Sequence, residues 1–264
     1  MRKIKRSNAF EVTVTINDEN FIRPPKDSQR NAVLNRALKE FVGELNILNE
    51  QTKDFVPGAT TTEILQIDRE QKIMQDQEIM EDWQIPLMQE MANAIAEDGG
   101  DILEIGFGRG ISARMIMEHP INSYTSIECN DDVITTYFEP FKEEFGTKNI
   151  NLCHGLWQNH IQSLGQYNGI LFHTYPLNDD EYAQYVNGSV TFAQHFFEHA
   201  CNHLKPGGAF TYFSNEIDSL SREHQHLLLK YFSSFSVKVV ALEMPDDVKD
   251  TWWANSIVVI KAIK

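Results

Sequence analysis

The sequence predicts an α/β protein: a Rossmann-like, doubly wound sheet of seven strands with the last strand antiparallel, preceded by a mostly helical N-terminal extension. Three observations predict it. From residue 99 onward, short apolar segments alternate with segments of helical periodicity, the rhythm of a parallel sheet covered by helices on both faces. The breaker cluster Glu97-Asp98-Gly99-Gly100 separates that region from a different rhythm before it. The last two apolar segments are joined by residues 243–253 with no helical crossover, so a hairpin returns the final strand antiparallel.

The strands are expected at 101–107, 124–129, 150–154, 169–173, 209–213, 236–242 and 256–261. Before them, Glu11 to Ile16 alternates polar and apolar residues and reads as a short strand. A helix over 29–49 follows Asp27 or Ser28, with Val33, Leu34, Ala37, Leu38, Phe41, Leu45 and Leu48 on one face. A Pro57-Gly58 loop leads to a helix over 63–79 and another from about Pro86 to Ala96. The domains are therefore drawn as a helical lid or extension, 1–98, and a sheet domain, 99–264.

Composition narrows the classes. The chain has 264 residues, 42% of them hydrophobic, enough for a packed core. Asp and Glu number 38 against 23 Lys and Arg, a net charge of -15. Such a field repels phosphate backbones and argues against a nucleic-acid partner. No apolar run approaches the ~20 residues of a membrane span. The basic start, Arg2 to Arg6, lacks a following apolar stretch and reads as a solvated tail, not a secretory signal. Cys129, Cys153 and Cys201 are odd in number and widely spaced, which suits reduced thiols and a cytoplasmic location. A small-molecule substrate fits this profile, and the leading segment, with Phe41 and Val42, could serve as a homodimer contact.

The chemistry concentrates where the first strand of the sheet ends. Gly106, Gly108 and Gly110 form G-x-G-x-G between a strand and a helix, a turn in which a ligand can approach the backbone closely. A dinucleotide loop would carry G-x-G-x-x-G, with pyrophosphate on the helix N-terminus, but position 111 is Ile. No P-loop pattern is present. Glu128 closes the second strand, where a carboxylate can accept both hydroxyls of an adenosine ribose. NAD and S-adenosylmethionine (SAM) both have that ribose, and the loop favours SAM, which has no phosphate. Leu204-Lys-Pro-Gly-Gly208 marks a helix end and turn before the fifth strand.

With these elements, the chain resembles the class I SAM-dependent methyltransferases, and among them guanidinoacetate N-methyltransferase. The matching residues are Met80-Glu-Asp-Trp83 with Pro86 and Met88, Leu103-Glu-Ile-Gly-Phe-Gly108, Ile127-Glu-Cys-Asn-Asp131, Gly155-Leu-Trp157, Thr174-Tyr-Pro-Leu177 and Leu204-Lys-Pro-Gly-Gly208. They fall in order over residues 78–215. The resemblance implies that Glu104, Gly106, Phe107, Gly108 and Gly110 belong to the SAM loop. It implies that Glu128 holds the ribose, with Asn130 beyond it, and that Leu156 and Trp157 flank the adenine. Met80 and Met88 would close over the cofactor, where a polarizable thioether suits an adenine or sulfonium contact; core filling is the alternative for both.

The departures are as informative. The resembled enzyme grips a guanidinium with two carboxylates, a pairing that planar fork geometry favours. Those positions here are Gln84 and His173. Both charges are gone, which argues against a guanidino acid held in that way. Glu81, Gln84, His173 and Tyr175 are the expected substrate-binding residues. His173 and Tyr175 are also the expected catalytic pair: an imidazole of ordinary pKa could take a proton from an ammonium nucleophile, and Tyr175 could orient it. His195, His199 and His203 recur every fourth residue, but no carboxylate or thiol completes a metal site, so no metal is expected. The helix that carries them reads as lying on the far side of the strand ends. The expected function is N-methylation of an amine-containing metabolite other than guanidinoacetate. The alternatives are a SAM-consuming intramolecular cyclase that yields azetidine-2-carboxylate and methylthioadenosine, and a non-catalytic SAM-binding partner protein.

Overall fold

The computed structural model describes residues 2–5, 11–14, 79–177, 179–244 and 254–264. The helix expected over 29–49, and residues 63–78 of the one expected over 63–79, lie outside the described residues. The chain divides into two units, Met1–Pro57 and Gly58–Lys264. In the first, β1 (Arg2–Lys5) pairs antiparallel with β2 (Glu11–Val14). The expected strand at Glu11 is thus present and ends at Val14. Within the basic start, the backbone of Arg2–Lys5 pairs with β2.

In the second unit the strands are β3 (Gly100–Ile105), β4 (Ile121–Glu128), β5 (Asn149–His154), β6 (Tyr167–Phe172), β7 (Leu204–Ser214), β8 (Ser234–Ala241) and β9 (Ser256–Ile263). They form one sheet in the order β5-β4-β3-β6-β7-β9-β8. Neighbours from β5 to β7 are parallel. The last strand, β9, is antiparallel to both β7 and β8. This is the doubly wound, seven-stranded arrangement read from the sequence. The order reverses between β3 and β6, so the carboxyl ends of β3, β4, β5 and β6 open onto one crevice. Most strands run a few residues beyond their apolar stretches; β7 begins at Leu204, directly after the preceding helix.

The sheet separates two apolar layers because successive side chains point to opposite faces. Ile102, Tyr124, Leu171, Ile257 and Val259 face one layer. Leu103, Ile105, Ile127, Ile170, Val258 and Ile260 face the other. The first layer is covered by α1 (Ile85–Ala96), α2 (Ile111–Met117) and a continuous helical stretch, α3, over residues 131–144. Pro86 stands in the first turn of α1, where its missing N–H costs nothing. Leu87, Met88, Met91, Ala92, Ile95 and Ala96 then form one buried face at helical spacing. Asn130 caps α3, its Oδ1 accepting from the amides of Asp132 at 2.9 Å and Val133 at 3.1 Å. The middle turn of α3, Ile134–Phe138, is π-helical. A short α4 (Trp157–His160) follows β5, and the second layer is covered by α5 (Phe197–His203) and α6 (Arg222–Tyr231).

Gly169 shows how closely α1 lies on the sheet. A Cβ there would stand 2.4 Å from the carbonyl oxygen of Ile95 and 2.8 Å from its Cβ. Gly169→Ala is therefore expected to destabilise the protein by about 1–3 kcal/mol or more through overpacking. Gly165→Ala, where nothing lies within 4 Å, should leave the melting temperature almost unchanged. Equal melting temperatures for the two variants would contradict this packing.

Candidate active site

The parallel strands end in four loops that are tied to one another by backbone bonds. The Gly106 amide donates to the Ile127 carbonyl at 2.9 Å, and the Gly155 amide to that of Glu128 at 2.8 Å. The His173 amide donates to the Ile105 carbonyl at 3.0 Å. Gly106 has φ +86°, and a Cβ on it would meet the His173 carbonyl oxygen at 2.3 Å. Only glycine lets the β3 and β6 loops approach this closely. Between the loops lies a cavity of about 350 Å³, within the usual size of a small-molecule site.

Glu128 organises its floor. Oε2 accepts from the amides of Phe107 at 2.9 Å and Gly108 at 3.3 Å. Oε1 accepts from the amides of Cys129 at 2.8 Å and Asn130 at 2.9 Å. One carboxylate therefore fixes the loop after β3 and the loop after β4 together, through charge-assisted bonds. On the other side, Arg109 donates to the Met80 carbonyl at 2.9 Å and pairs with Asp82 at 2.6 Å. This holds residues 80–82 against the glycine loop.

Of the residues singled out in the sequence, Met80, Gln84, Met88, Gly106, Phe107, Gly108, Glu128, Asn130, Leu156, Trp157, His173 and Tyr175 all line this cavity. Three do not. Gly110 lies behind the loop, at φ +69°, as the left-handed residue that starts α2. Glu81 accepts from the indole N–H of Trp83 at 3.1 Å and is not part of the lining. Glu104 lies beneath the lining, fully buried, with Ser112 and Tyr124 hydroxyls donating to its two oxygens. On an inward-facing position of β3 it is a core residue, and burial pushes its pKa up to about 7.

His173 differs from its expected state. Its ring stands edge-on to Phe213 at 5.3 Å, and burial pushes its pKa down to about 4. It is neutral near pH 7, a hydrogen-bonding group and a weak store for a proton. Tyr175 is 48% exposed at the rim.

Among the lining residues not singled out in the sequence are Arg109, Glu181 and His195. Glu181, whose Oε2 accepts from the Leu177 amide at 2.9 Å, brings a carboxylate to the wall. In the sequence it is one of several acids after Tyr175, and nothing distinguishes it there. His195 was placed on the far side of the strand ends, yet it lines the cavity beside Trp157, with ring centroids 5.6 Å apart. The histidine spacing misled because His195 belongs to a 3-10 turn, Phe192–Phe196, and the α-helix starts only at Phe197. His203, at the end of that α-helix, bonds to the Gly165 carbonyl. Among the described residues no group of His, Cys, Asp and Glu is arranged to hold a metal ion.

The state of Glu104 has a measurable consequence. Its folded pKa, about 7, is above its ordinary value of 4.5, so the folded state binds more protons between those values. Stability should fall as pH rises from about 4.5 to about 7, by an amount on the order of 3 kcal/mol. Glu104→Gln should remove this slope in denaturant unfolding. Wild-type and variant curves that stay parallel over that range would contradict it.

Comparison with known proteins adds the family. The family model for guanidinoacetate N-methyltransferase matches residues 50–237. Among solved structures, the precorrin-6y C5,15-methyltransferase of Geobacter metallireducens GS-15 is 14% identical, with a TM-score of 0.48 over 76% of this chain and 99% of that one. A methyltransferase from Pyrococcus furiosus is 19% identical, with a TM-score of 0.45 over 67% of this chain and 82% of that one. The spermidine synthase of Thermotoga maritima is 12% identical, with a TM-score of 0.48 over 69% of this chain; the match spans 60% of that enzyme's length. No helix among the described residues is long and apolar enough to cross a membrane. The chain belongs to the guanidinoacetate N-methyltransferase family.

Proposed function

We propose that this enzyme methylates a nitrogen of a small amine-bearing metabolite other than guanidinoacetate, in the cytoplasm, with SAM as donor. The observation that carries the proposal is the convergence of the glycine loop, Glu128, Leu156-Trp157 and His173-Tyr175 on one cavity.

The residues fit SAM better than a phosphate-bearing cofactor. Arg109 is the cation of the described lining, and its guanidinium is engaged by the Met80 carbonyl and Asp82. Two carboxylates, Glu128 and Glu181, line the same cavity. That balance disfavours a pyrophosphate and accepts a sulfonium. Glu128 would hold the ribose hydroxyls. Its bond to the Gly108 amide, at 3.3 Å the longest of its four, is the one a hydroxyl would displace. Leu156 and Trp157 would flank the adenine, and Met80 and Met88 would cover it. When bound, SAM supplies a methyl group on a sulfonium, open to displacement by a nucleophile in line with the S–CH3 bond.

This chain's part is to place that nucleophile. The neutral imidazole of His173 has one bare nitrogen, which can accept an N–H and turn the amine's own lone pair toward the methyl. Tyr175 and Gln84 offer further neutral hydrogen-bonding groups. A neutral imidazole and an amide cannot repeat a two-carboxylate grip on a guanidinium, which is why guanidinoacetate is set aside. Residues 80–84, latched by Arg109, would help to keep water from the reacting atoms.

The test is product analysis by mass spectrometry. Purified enzyme with SAM and a panel of small amines should release S-adenosylhomocysteine and a methylated amine. Guanidinoacetate should give little turnover. His173→Ala should keep SAM affinity within about threefold and lose about 100-fold or more in turnover. Methylthioadenosine formed from SAM alone, above the spontaneous rate, would overturn the proposal in favour of the intramolecular cyclase.

A further inference from the structure

His195 lies at the edge of an aromatic box. Its ring is stacked on Tyr185, with centroids 4.2 Å apart and planes at 16°. Trp157 and Phe172 each stand 5.6 Å away, and Phe192 4.9 Å. These neighbours fix the plane of the imidazole. Its rotation within that plane is fixed as well, because Nδ1 lies 2.5 Å from the carbonyl oxygen of Phe192.

That contact settles the tautomer. A carbonyl oxygen can only accept, so Nδ1 carries the hydrogen. Burial pushes the pKa of the ring down to about 4, so a second proton is absent near pH 7. Nε2 is left as a bare lone pair on a residue that lines the cavity next to Trp157. Among the described residues no hydrogen bond engages it.

A fixed acceptor beside flat apolar walls selects a ring with an outward N–H. An edge that presents a carbonyl oxygen would set lone pair against lone pair. We propose that Nε2 of His195 accepts a hydrogen bond from the exocyclic amine of the adenine, which makes His195 the residue that reads a 6-amino purine and rejects a 6-oxo purine. The inference rests on the proposed SAM site, in which Leu156 and Trp157 flank the adenine. It adds a specificity-determining residue to that site and gives the 3-10 turn Phe192–Phe196 a purpose, since this turn aims the ring.

The test is calorimetric titration of the full chain with S-adenosylhomocysteine and with S-inosylhomocysteine, its 6-oxo counterpart. Wild type should bind the adenosyl compound about 10- to 100-fold more tightly, the usual cost of an unmatched buried polar group. His195→Phe keeps an aromatic ring and removes the acceptor, so the ratio should fall to within about threefold of one. His195→Gln, which restores an acceptor, should recover part of it. For the wild type, 15N NMR gives a second reading: the Nε2 resonance should move with the adenosyl compound and stay in place with the inosyl compound. An unchanged ratio in His195→Phe, or wild type binding both compounds equally, would overturn this inference and leave the SAM site standing. If S-adenosylhomocysteine does not bind wild type at all, the SAM site itself is wrong.

Discussion

The four hydrogen bonds of the Glu128 carboxylate hold the active-site end of this molecule together. Each oxygen takes two backbone amides, one oxygen from the β3 loop and the other from the β4 loop. A buried carboxylate is tolerable when its lone pairs are met in this way. The consequence is a fixed floor: the loop amides of Phe107 and Gly108 cannot turn without breaking a charged bond. The backbone ties at Gly106, Gly155 and His173 then extend the same rigidity to the ends of β5 and β6. Preorganisation of this kind is what positions reacting groups at little further entropic cost.

Around that floor the charges are sparse. His173 and His195 are both held neutral by burial, and Arg109 is spent on residues 80–82. The rest of the lining is made of neutral hydrogen-bonding groups, apolar and aromatic faces, and the carboxylates of Glu128 and Glu181. A family whose name describes a guanidino substrate is represented here by a cavity whose two counterpart positions, Gln84 and His173, carry no charge.

Much of this was legible in the chain. Alternating apolar strands and helices, ended by a hairpin, gave a doubly wound, seven-stranded sheet with its last strand antiparallel, because period and connection length are local properties. The glycine loop, Glu128, Leu156-Trp157 and His173-Tyr175 were legible because they sit at strand ends, which the topology brings to one edge. Three kinds of residue were not. Glu104 shares the motif with Gly106, but the alternation of β3 turns it inward, onto Tyr124 and Ser112. Depth below a cavity cannot be read from a motif. His195 was hidden by a change of helical pitch that no residue type announces. Glu181 enters through a π-helical turn, Tyr182–Asn187, that follows it, and its place depends on a bond to the Leu177 amide. The pKa values of His173 and Glu104 likewise come from burial, which is a property of the folded chain alone.

The account stands most directly on amide hydrogen exchange in wild type and Glu128→Gln, read residue by residue by NMR. If this carboxylate fixes both loops, the amides of Phe107, Gly108, Cys129 and Asn130 should lose protection together in the variant. Ladder amides deep in β3, such as that of Leu103, should remain as slow as in wild type. Unchanged protection at the four loop amides would mean that the loops hold themselves, and that Glu128 has no organising role. Uniform loss across the sheet would contradict the account in another way, by making Glu128 a support of the whole fold.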